Sequence, residues 1–317
     1  MSKIAVFGSI NMDLVMEVER FPRQGETVAA KSFSFFPGGK GANQAVGIGR
    51  LGGDVSMFGM VGDDTFGELL IKSLRNNGIN VENVIIGEGT SSGIASITVD
   101  RQGNNTIVIT PGANGKLDRR YVDTVLPQIA QNDILLLQFE VPLETIDYLL
   151  KGLPPKTPLV ILDPAPAYDL ERIHAKRVDL ITPNETELQS MTGIEIKSVE
   201  DIKEAAGLLS RKMGIEVVIC KSGDKGSYLI TRERFKHFPA YEVEEVDTTA
   251  AGDAFNAGLA LALSEGRDLE EAIRYANAVG ALATTVKGAQ PSMPSADSVE
   301  EFLKREEVHL EERRDLE

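Results

Sequence analysis

Short apolar runs alternate along the chain with longer stretches that have helical spacing. The apolar runs predict buried strands at residues 4–7, 55–60, 134–138, 159–162, 180–182 and 217–220. The amphipathic stretches predict helices at residues 41–51, 65–77, 118–130, 143–151, 185–192 and 199–213, followed by 252–265 and 269–286. Strands that alternate with helices are typical of a parallel sheet covered on both faces. The pattern therefore predicts a doubly wound α/β fold with a mainly parallel sheet.

Two segments interrupt this alternation with strand-like patterns. Residues 14–36 show the alternation typical of strands on both sides of a turn at 21–25. Residues 94–99 and 106–110 lie on either side of a polar segment that predicts a hairpin turn. They predict a small β-sheet inserted at two places, which could act as a lid or present an apolar face to a partner. The predicted division is an α/β domain (1–10, 37–92 and 113–305), the inserted sheet (11–36 and 93–112) and a charged tail (306–317). A weak helical stripe from residue 300 onward predicts that the tail belongs to a solvated, fraying helix.

Composition narrows the possible functions. The chain of 317 residues carries 48 acidic and 33 basic side chains, a formal charge of −15, which disfavours nucleic acid and anionic membranes as partners. The lone Cys220 excludes an intrachain disulfide, and three histidines far apart in sequence give little support to a zinc or Ser-His-Asp site. No signal-peptide core and no membrane-length apolar run is present, so we expect a cytoplasmic protein.

A glycine-rich segment, Pro37-Gly38-Gly39-Lys40-Gly41-Ala42-Asn43-Gln44, precedes a predicted helix. Glycines before a helix start let the backbone approach a ligand closely, and the free N–H groups of the first helical turn favour polar or anionic atoms. The segment is neither a Walker A loop nor a G-x-G-x-x-G turn after the first strand, so a dinucleotide oxidoreductase is disfavoured. A ligand loop and a structural turn both remain open here.

The segment from Asp247 to Phe255 opens a later helix with small residues. Ala250, Ala251 and Gly252 would expose backbone N–H groups at the positive end of that helix, where they would form an anion hole. The Asp253 carboxylate lies within reach of the same place. Asp253 could alternatively be a simple helix N-cap.

Further polar residues follow predicted strands. Asn184 and Glu187 open a helix after a strand, a place where open α/β sheets bind ligands, although they also fit a capping box. Glu187 would suit hydrated Mg²⁺. Residues 223–226 suggest a tight hairpin turn. Asn11, Asp13 and Glu140 follow strands, where either turn roles or ligand binding would explain them.

Taken together, these segments resemble the PfkB-type carbohydrate kinase family. Residues 38–46 and 247–256 correspond to the two family signatures, and residues 39–44 and 288–292 narrow the resemblance to the ribokinase branch. The match extends from Gly8 to Ser292. The resemblance implies a ribokinase-like fold and ATP-dependent phosphorylation of D-ribose at O5, with Mg²⁺ and an activating K⁺, in a homodimer joined through the inserted sheet.

The resemblance also implies residue roles. Asp253 would be the general base, and Ala250, Ala251 and Gly252 would supply the anion-hole amides. The sugar would contact Asn11, Met12, Asp13, Gly39, Lys40, Gly41, Ala42, Asn43, Glu140 and Asp253. The nucleotide would contact Asn184, Glu187, Ser222, Gly223, Asp224, Lys225, Gly226, Ser227, Gly252 and Asn277. Glu187 would hold Mg²⁺ through water, and K⁺ would be held by Asp247, Thr249, Ala283, Val286, Gly288 and Ser292.

Four residues depart from the family pattern. Met12 replaces a smaller residue, Asn277 stands where some relatives have His, and Lys221-Ser222 replaces a more apolar pair near the expected adenine. Asn11 and Asp13 favour a sugar with a 2-hydroxyl, because removing it would leave buried polar groups unpaired. The alternatives are a kinase of another sugar, such as 2-deoxyribose or fructose, and a sugar or nucleotide sensor without catalysis.

Overall fold

The computed structural model describes residues 2–168 and 177–314, with side chains described to residue 307. Thirteen strands form two sheets in these ranges: β1 (Lys3–Phe7), β2 (Asn11–Glu17), β3 (Ser32–Gly38), β4 (Asp54–Gly62), β5 (Asn80–Gly87), β6 (Gly93–Val99), β7 (Asn105–Thr110), β8 (Ile134–Gln138), β9 (Leu159–Asp163), β10 (Leu180–Ile181), β11 (Val217–Lys221), β12 (Ser227–Ile230) and β13 (Phe235–Phe238). The helices are α1 (Lys40–Arg50), α2 (Thr65–Asn76), α3 (Arg119–Ile129), α4 (Leu143–Gly152), α5 (Glu185–Thr192), α6 (Val199–Met213), α7 (Ala251–Ser264), α8 (Leu269–Thr284), α9 (Ala289–Ser292) and α10 (Ala296–Arg314).

Nine of the described strands form sheet A, in the order β13-β12-β11-β10-β9-β8-β1-β4-β5. The strands from β11 to β5 in this order run parallel, and β12 and β13 add an antiparallel edge. Each predicted buried strand overlaps a strand of sheet A. β5, at one edge, was not predicted, since buried and exposed residues mix along it. β12 and β13, at the other edge, were foreseen only through the hairpin turn at residues 223–226.

Sheet A separates two apolar cores. Alternate side chains of a strand point to opposite faces, so Ile4 and Val6 of β1 enter one core while Ala5 and Phe7 enter the other. The first core is closed by α1, α2, α7, α8 and α10, and the second by α3 to α6. Each fully buried aliphatic side chain contributes roughly 1.5–3 kcal/mol to folding. The predicted doubly wound arrangement is confirmed.

Sheet B is small and separate, with the strand order β3-β2-β6-β7. β2 and β6 pair in parallel, while the outer pairs are antiparallel. The two predicted inserted segments supply its strands, but β3 begins at Ser32 rather than near 27 and continues to Gly38. Large apolar side chains on β3 and β7 are exposed to solvent, namely Phe33, Phe35, Ile107, Val108 and Ile109.

The C-terminal segment is helical. Val299 and Phe302 of α10 are buried in the first core, and the helix continues to Arg314, so the predicted tail boundary at 306 lies inside a helix. Residues 315–317 of the predicted tail lie outside the described residues. No helix in the described ranges is long and apolar enough to cross a membrane.

Candidate functional site

Polar side chains collect at the carboxyl ends of β1, β8, β9 and β11, where α1 and α7 begin. The glycines at the start of α1 allow it to approach the chain that follows β1. A Cβ on Gly39 (φ 88°) would lie 2.7 Å from the Asn11 nitrogen, and one on Gly41 would lie 2.8 Å from the Gly8 carbonyl carbon. Gly39 and Gly41 therefore serve close packing of the protein's own backbone.

The first amides of α1 are already occupied. The Lys40 N–H donates to Glu140 Oε2 (3.0 Å), the Gly41 N–H to Ser9 Oγ (3.4 Å) and the Ala42 N–H to Ser9 O (2.9 Å). The expectation that this helix offers free N–H groups to a ligand is wrong, because Glu140 fills the positive end of the helix dipole. The side chains of Lys40 and Asn43 remain as candidate ligand contacts.

Asp253 is the centre of the site and is 4% exposed. Asn43 Nδ2 donates to its Oδ2 (3.0 Å), and Gln44 Nε2 donates to its Oδ1 (3.1 Å). The alternative that Asp253 is a helix N-cap is wrong, since Ala250 occupies that position and no side chain of the described residues caps α7. Oδ1 of Asn43 is buried and has no partner in the described part of the chain, so a ligand hydroxyl could satisfy it.

Burial raises the pKa of Asp253 to about 6, against the lowering effect of the nearby Lys40 ammonium, while Asp163 adds to the increase. For Lys40 itself, burial would lower the pKa, yet Asp253, Asp163 and Glu140 raise it above its ordinary value. No ion pair holds this ammonium among the residues that the structure describes. A carboxylate with a pKa near neutrality suits proton acceptance.

The start of α7 leaves backbone donors unpaired. Ala250 adopts a left-handed conformation (φ 61°), which is uncommon for a residue with a Cβ. The Ala251 N–H donates to Thr248 O (3.2 Å), so the turn already uses this amide. The described residues offer no hydrogen-bond acceptor to the amides of Ala250 and Gly252. An anionic group in front of α7 would satisfy these two donors.

Asn11 and Asp13 lie at the start of β2, so the alternative that they form a turn is wrong. Asn11 Oδ1 accepts from Asn114 Nδ2 (2.7 Å), which orients the Asn11 amide. Burial raises the pKa of Asp13 to about 7, with further increases from the charges of Glu140 and Asp253. Asp13 therefore lies close enough to Glu140 and Asp253 to be affected by their charges.

Met12 does not join this cluster. Its side chain is fully buried in the first core, and alternate residues of a strand point to opposite sides. The prediction that Met12 contacts the sugar is not supported by this placement. Glu140 lies close to the cluster: its Oε2 accepts from Ser9 Oγ and Lys40 N.

A buried network missed by the sequence analysis links the site to the sheet. Gln44 Nε2 donates to Asp163 Oδ2 (3.0 Å) as well as to Asp253, and Gln138 Nε2 donates to Gln44 Oε1 (2.6 Å). The Lys221 ammonium lies 2.8 Å from Asp163 Oδ1. Gln138 and Asp163 each end a buried strand, so the rule that singled out Glu140 would also have found them.

The predicted nucleotide residues surround the start of α5 and the β11–β12 hairpin. Asn184 and Glu187 form the anticipated capping box, in which Asn184 Oδ1 accepts from the Glu187 N–H (2.7 Å) and Glu187 Oε2 from the Asn184 N–H (2.8 Å). A β-bridge joins Asn184 to Lys221, and residues 223–225 form the tight turn of the hairpin. Ser227 Oγ donates to Asn277 Oδ1 (3.0 Å), and both side chains are buried.

Glu187 fits a hydrated Mg²⁺ better than a directly bound one. Its Oε2 is used in the capping box, and Oε1 has no hydrogen bond among the described residues. Within residues 2–168 and 177–307, no cluster of three or more His, Cys, Asp or Glu side chains could hold a metal ion. Mg²⁺ usually keeps several waters and binds through substrate phosphates, so one half-buried carboxylate is compatible with it.

The two segments predicted to bind a monovalent cation meet at Asp247. Its Oδ1 accepts from the Thr249 N–H (2.9 Å) and its Oδ2 from the Gly288 N–H (2.9 Å). The N–H groups of Val246 and Asp247 donate to Thr284 O (2.8 and 3.0 Å). Burial would raise the pKa of Asp247, but the hydrogen bonds that its carboxylate accepts from Thr249 and Gly288 lower this pKa overall. The carboxylate is therefore charged at neutral pH. The Asp247 carboxylate thus joins the loop before α7 to Gly288, and Ala283, Val286 and Ser292 lie close to Gly288 along the chain.

Comparisons with known proteins agree with one another. The family model described as pfkB family carbohydrate kinase matches residues 1–296. A ribokinase of Bacillus subtilis is 40% identical over 303 residues, which cover 96% of this chain and 100% of the relative. A deoxyribokinase of Salmonella typhi is 38% identical over 301 residues, covering 95% and 98%.

Solved structures give the same result. A ribokinase of Thermotoga maritima is 40% identical, with a TM-score of 0.88 over 96% of this chain and 100% of that one. A ribokinase of Arabidopsis thaliana, complexed with ribose and ATP, is 34% identical, with a TM-score of 0.87 over 96% and 99%. The α/β domain and the small sheet are therefore features that this chain shares with those proteins.

Proposed function

Because this chain belongs to the pfkB family of carbohydrate kinases, we propose that it transfers the γ-phosphoryl group of ATP to O5 of D-ribose, giving D-ribose 5-phosphate and ADP. The observation that carries the proposal is the buried Asp253 carboxylate beside the unpaired amides of Ala250 and Gly252. A proton acceptor and anion donors at one place are what phosphoryl transfer requires, since it depends on positioning and charge neutralisation.

In the proposed step, Asp253 accepts the proton of the sugar 5-hydroxyl as that oxygen forms a bond to the γ-phosphorus. The bond between this phosphorus and the bridging oxygen breaks, and ADP leaves with the electron pair. Asn43 and Gln44 hold the Asp253 carboxylate by one hydrogen bond to each oxygen. The amides of Ala250 and Gly252 donate to the phosphoryl oxygens where negative charge develops. The Ala251 amide contributes less, because it already bonds Thr248.

The sugar would lie between β2, α1 and Asp253. Asn11, Asp13, Asn43 and Glu140 offer donors and acceptors for its hydroxyls, and Lys40 supplies a positive charge among the carboxylates. The nucleotide would lie against Asn184, the β11–β12 hairpin and Asn277. When bound, Mg²⁺ would neutralise charge on the phosphates, and Glu187 would hold it through water.

We expect D-ribose to be preferred over 2-deoxyribose. An ADP-release assay with MgATP would compare D-ribose, 2-deoxyribose, fructose and adenosine at matched concentrations in K⁺ buffer. Loss of the 2-hydroxyl leaves a buried polar group unpaired, which costs about 1–3 kcal/mol, or roughly 5- to 150-fold in kcat/KM. Asp13→Ala should reduce this preference, whereas Met16→Leu, further along β2, should keep it.

The alternative substrates are outcomes of the same assay. A preference for 2-deoxyribose is the second candidate, favoured by the similarity to the Salmonella typhi deoxyribokinase. It would keep the kinase mechanism and contradict the sugar assignment of Asn11 and Asp13. Absence of ADP release with any of the sugars would favour the sensor hypothesis over catalysis.

We also expect turnover to be faster in K⁺ than in Na⁺ at equal ionic strength. The Asp247 loop carries a negative charge beside the start of α7, and a larger cation suits a site built from backbone carbonyls. Initial rates with the preferred sugar in the two salts test this, and Asp247→Ala should remove the difference. Equal rates in wild-type protein would reject the cation site.

We further propose that sheet B, from residues 11–36 and 93–112, is a lid and a dimer contact. Its strands β3 and β7 expose large apolar side chains, and Val108 is 68% exposed. A second copy of sheet B would remove this apolar surface from water.

A further inference from the structure

Lys221 and Asp163 form an ion pair that the roles proposed above do not use. Nζ and Oδ1 lie 2.8 Å apart, and the side chains are 13% and 2% exposed. Removing two charges from water is costly, and such pairs are often no more stabilising than apolar residues of similar size. A contribution to the stability of the fold therefore gives little reason for an ion pair here, and the position of the pair suggests another role.

The Lys221 ammonium lies beside the start of α7. A Cβ built on Gly252 would be 3.4 Å from Nζ, so the ammonium is close to a residue whose amide has no acceptor among the described residues. Asp163 is its hydrogen-bond partner among the described residues, and an ammonium has three donors, so further donors are free. Through Gln44, the same Asp163 is joined to Asp253.

A cation at this point would offset part of the negative charge of the site. Asp13, Glu140, Asp163 and Asp253 gather around the site, and a triphosphate would add further negative charge. Lys40 lies on the α1 side, near Asp253, Asp163 and Glu140. Lys221 approaches from β11, on the side of the hairpin where the nucleotide is proposed to bind.

We propose that Lys221 is a further catalytic residue, which donates a hydrogen bond to the phosphoryl group in front of α7 while Asp163 holds its ammonium in place. This inference rests on the proposed phosphoryl transfer. Gln44 links the two groups, because its amide nitrogen donates both to Asp163, which pairs with Lys221, and to Asp253, the proposed proton acceptor. The pair thus keeps a positive charge beside the amides of Ala250 and Gly252.

The kinetic test separates catalysis from structure. Lys221→Met leaves Asp163 buried and unpaired, so this variant can lose stability as well as activity. The double variant Lys221→Met with Asp163→Asn replaces the ion pair by neutral groups, and the amide oxygen introduced at position 163 can still accept from Gln44. We expect the double variant to recover the thermal midpoint of the wild type but to keep a loss of about 10²–10³-fold in kcat with MgATP. Recovery of both would overturn the proposal.

A binding measurement gives a readout that does not depend on turnover. Calorimetric titration with AMP, ADP and ATP, without sugar, measures the affinity gained with each phosphate. The double variant should bind AMP with the affinity of the wild type. The ratio of its affinity for ATP to its affinity for AMP should be at least tenfold smaller than in the wild type. Lys304→Met, which removes a charge from the exposed surface of α10, is the matched control and should change none of these affinities.

The two measurements also separate this inference from the proposed function. If the wild type phosphorylates none of the sugars, the proposed function fails, and the titration still decides whether Lys221 binds phosphate. If the wild type is active and the double variant gains as much affinity from AMP to ATP as the wild type, Lys221 does not contact the phosphates and the inference is wrong.

Discussion

Replacing Asp253 by Asn is expected to lower kcat by about 10²–10⁴-fold, the usual contribution of a general base. The amide cannot accept the proton of the sugar hydroxyl. It keeps the volume of the carboxylate and one acceptor oxygen, so the packing of α7 against α1 should persist. One of the two hydrogen bonds from Asn43 and Gln44 is lost, which costs about 1 kcal/mol. Initial rates, a thermal melt and calorimetric sugar binding measure the three effects separately.

Asp118→Asn is the matched control. Asp118 caps α3 by accepting from the Tyr121 N–H, and Asn is an equally good N-cap, so its rate and stability should be those of the wild type. Wild-type turnover in Asp253→Asn would reject Asp253 as the base. Loss of sugar binding and of thermal stability together would instead assign this carboxylate a structural role.

Replacing Lys40 by Met is expected to reduce kcat/KM by roughly 10²-fold or more, since it removes a cation from a site of developing negative charge. It should also move the pH profile. In the wild type, burial raises the pKa of Asp253 to about 6 and that of Asp13 to about 7. Only the carboxylate form of the base accepts a proton, so kcat/KM should fall as the pH decreases through this range.

The direction of the shift in the Lys40 variant follows from the sign of the charge. The Lys40 ammonium lowers the pKa of Asp253, so its removal raises that pKa further, and a smaller fraction of the base is ionised at any given pH. The acidic limb of kcat/KM against pH should therefore move to higher pH, while Lys304→Met leaves it in place. An unmoved limb with reduced kcat/KM would mean that Lys40 acts on the substrate alone.

Much of the fold follows from local pattern. Strands such as β1 and β8 are continuous apolar runs because both faces are buried, and this signal is strong in a single sequence. β5 was missed because it lies at the sheet edge, where part of each face is exposed. The start of β3 was misplaced because the alternation after residue 26 continues through an irregular segment.

The site could be predicted only in part, for a different reason. Its signatures identify Asp253 and the start of α7, but the partners of Asp253 are more than two hundred residues away in the chain. No local pattern reports that Asn43 and Gln44 meet this carboxylate, or that Lys221 reaches Asp163. The same limit applies to Glu140, because no local pattern shows that its carboxylate accepts from the Lys40 N–H at the start of α1. The glycine-rich segment alone suggests that this amide is free for a ligand.

The left-handed residue before α7 bears on how the barrier to reaction is lowered. For a residue with a Cβ, this conformation costs about 1–2 kcal/mol, and glycine would avoid most of that cost. Glycine would also give the loop more conformations, and the amides would then need to reorient as charge moves onto the phosphoryl group. With Ala250, the cost falls on the folding free energy once, and we expect the amides of the proposed anion hole to need less reorganisation in each catalytic cycle.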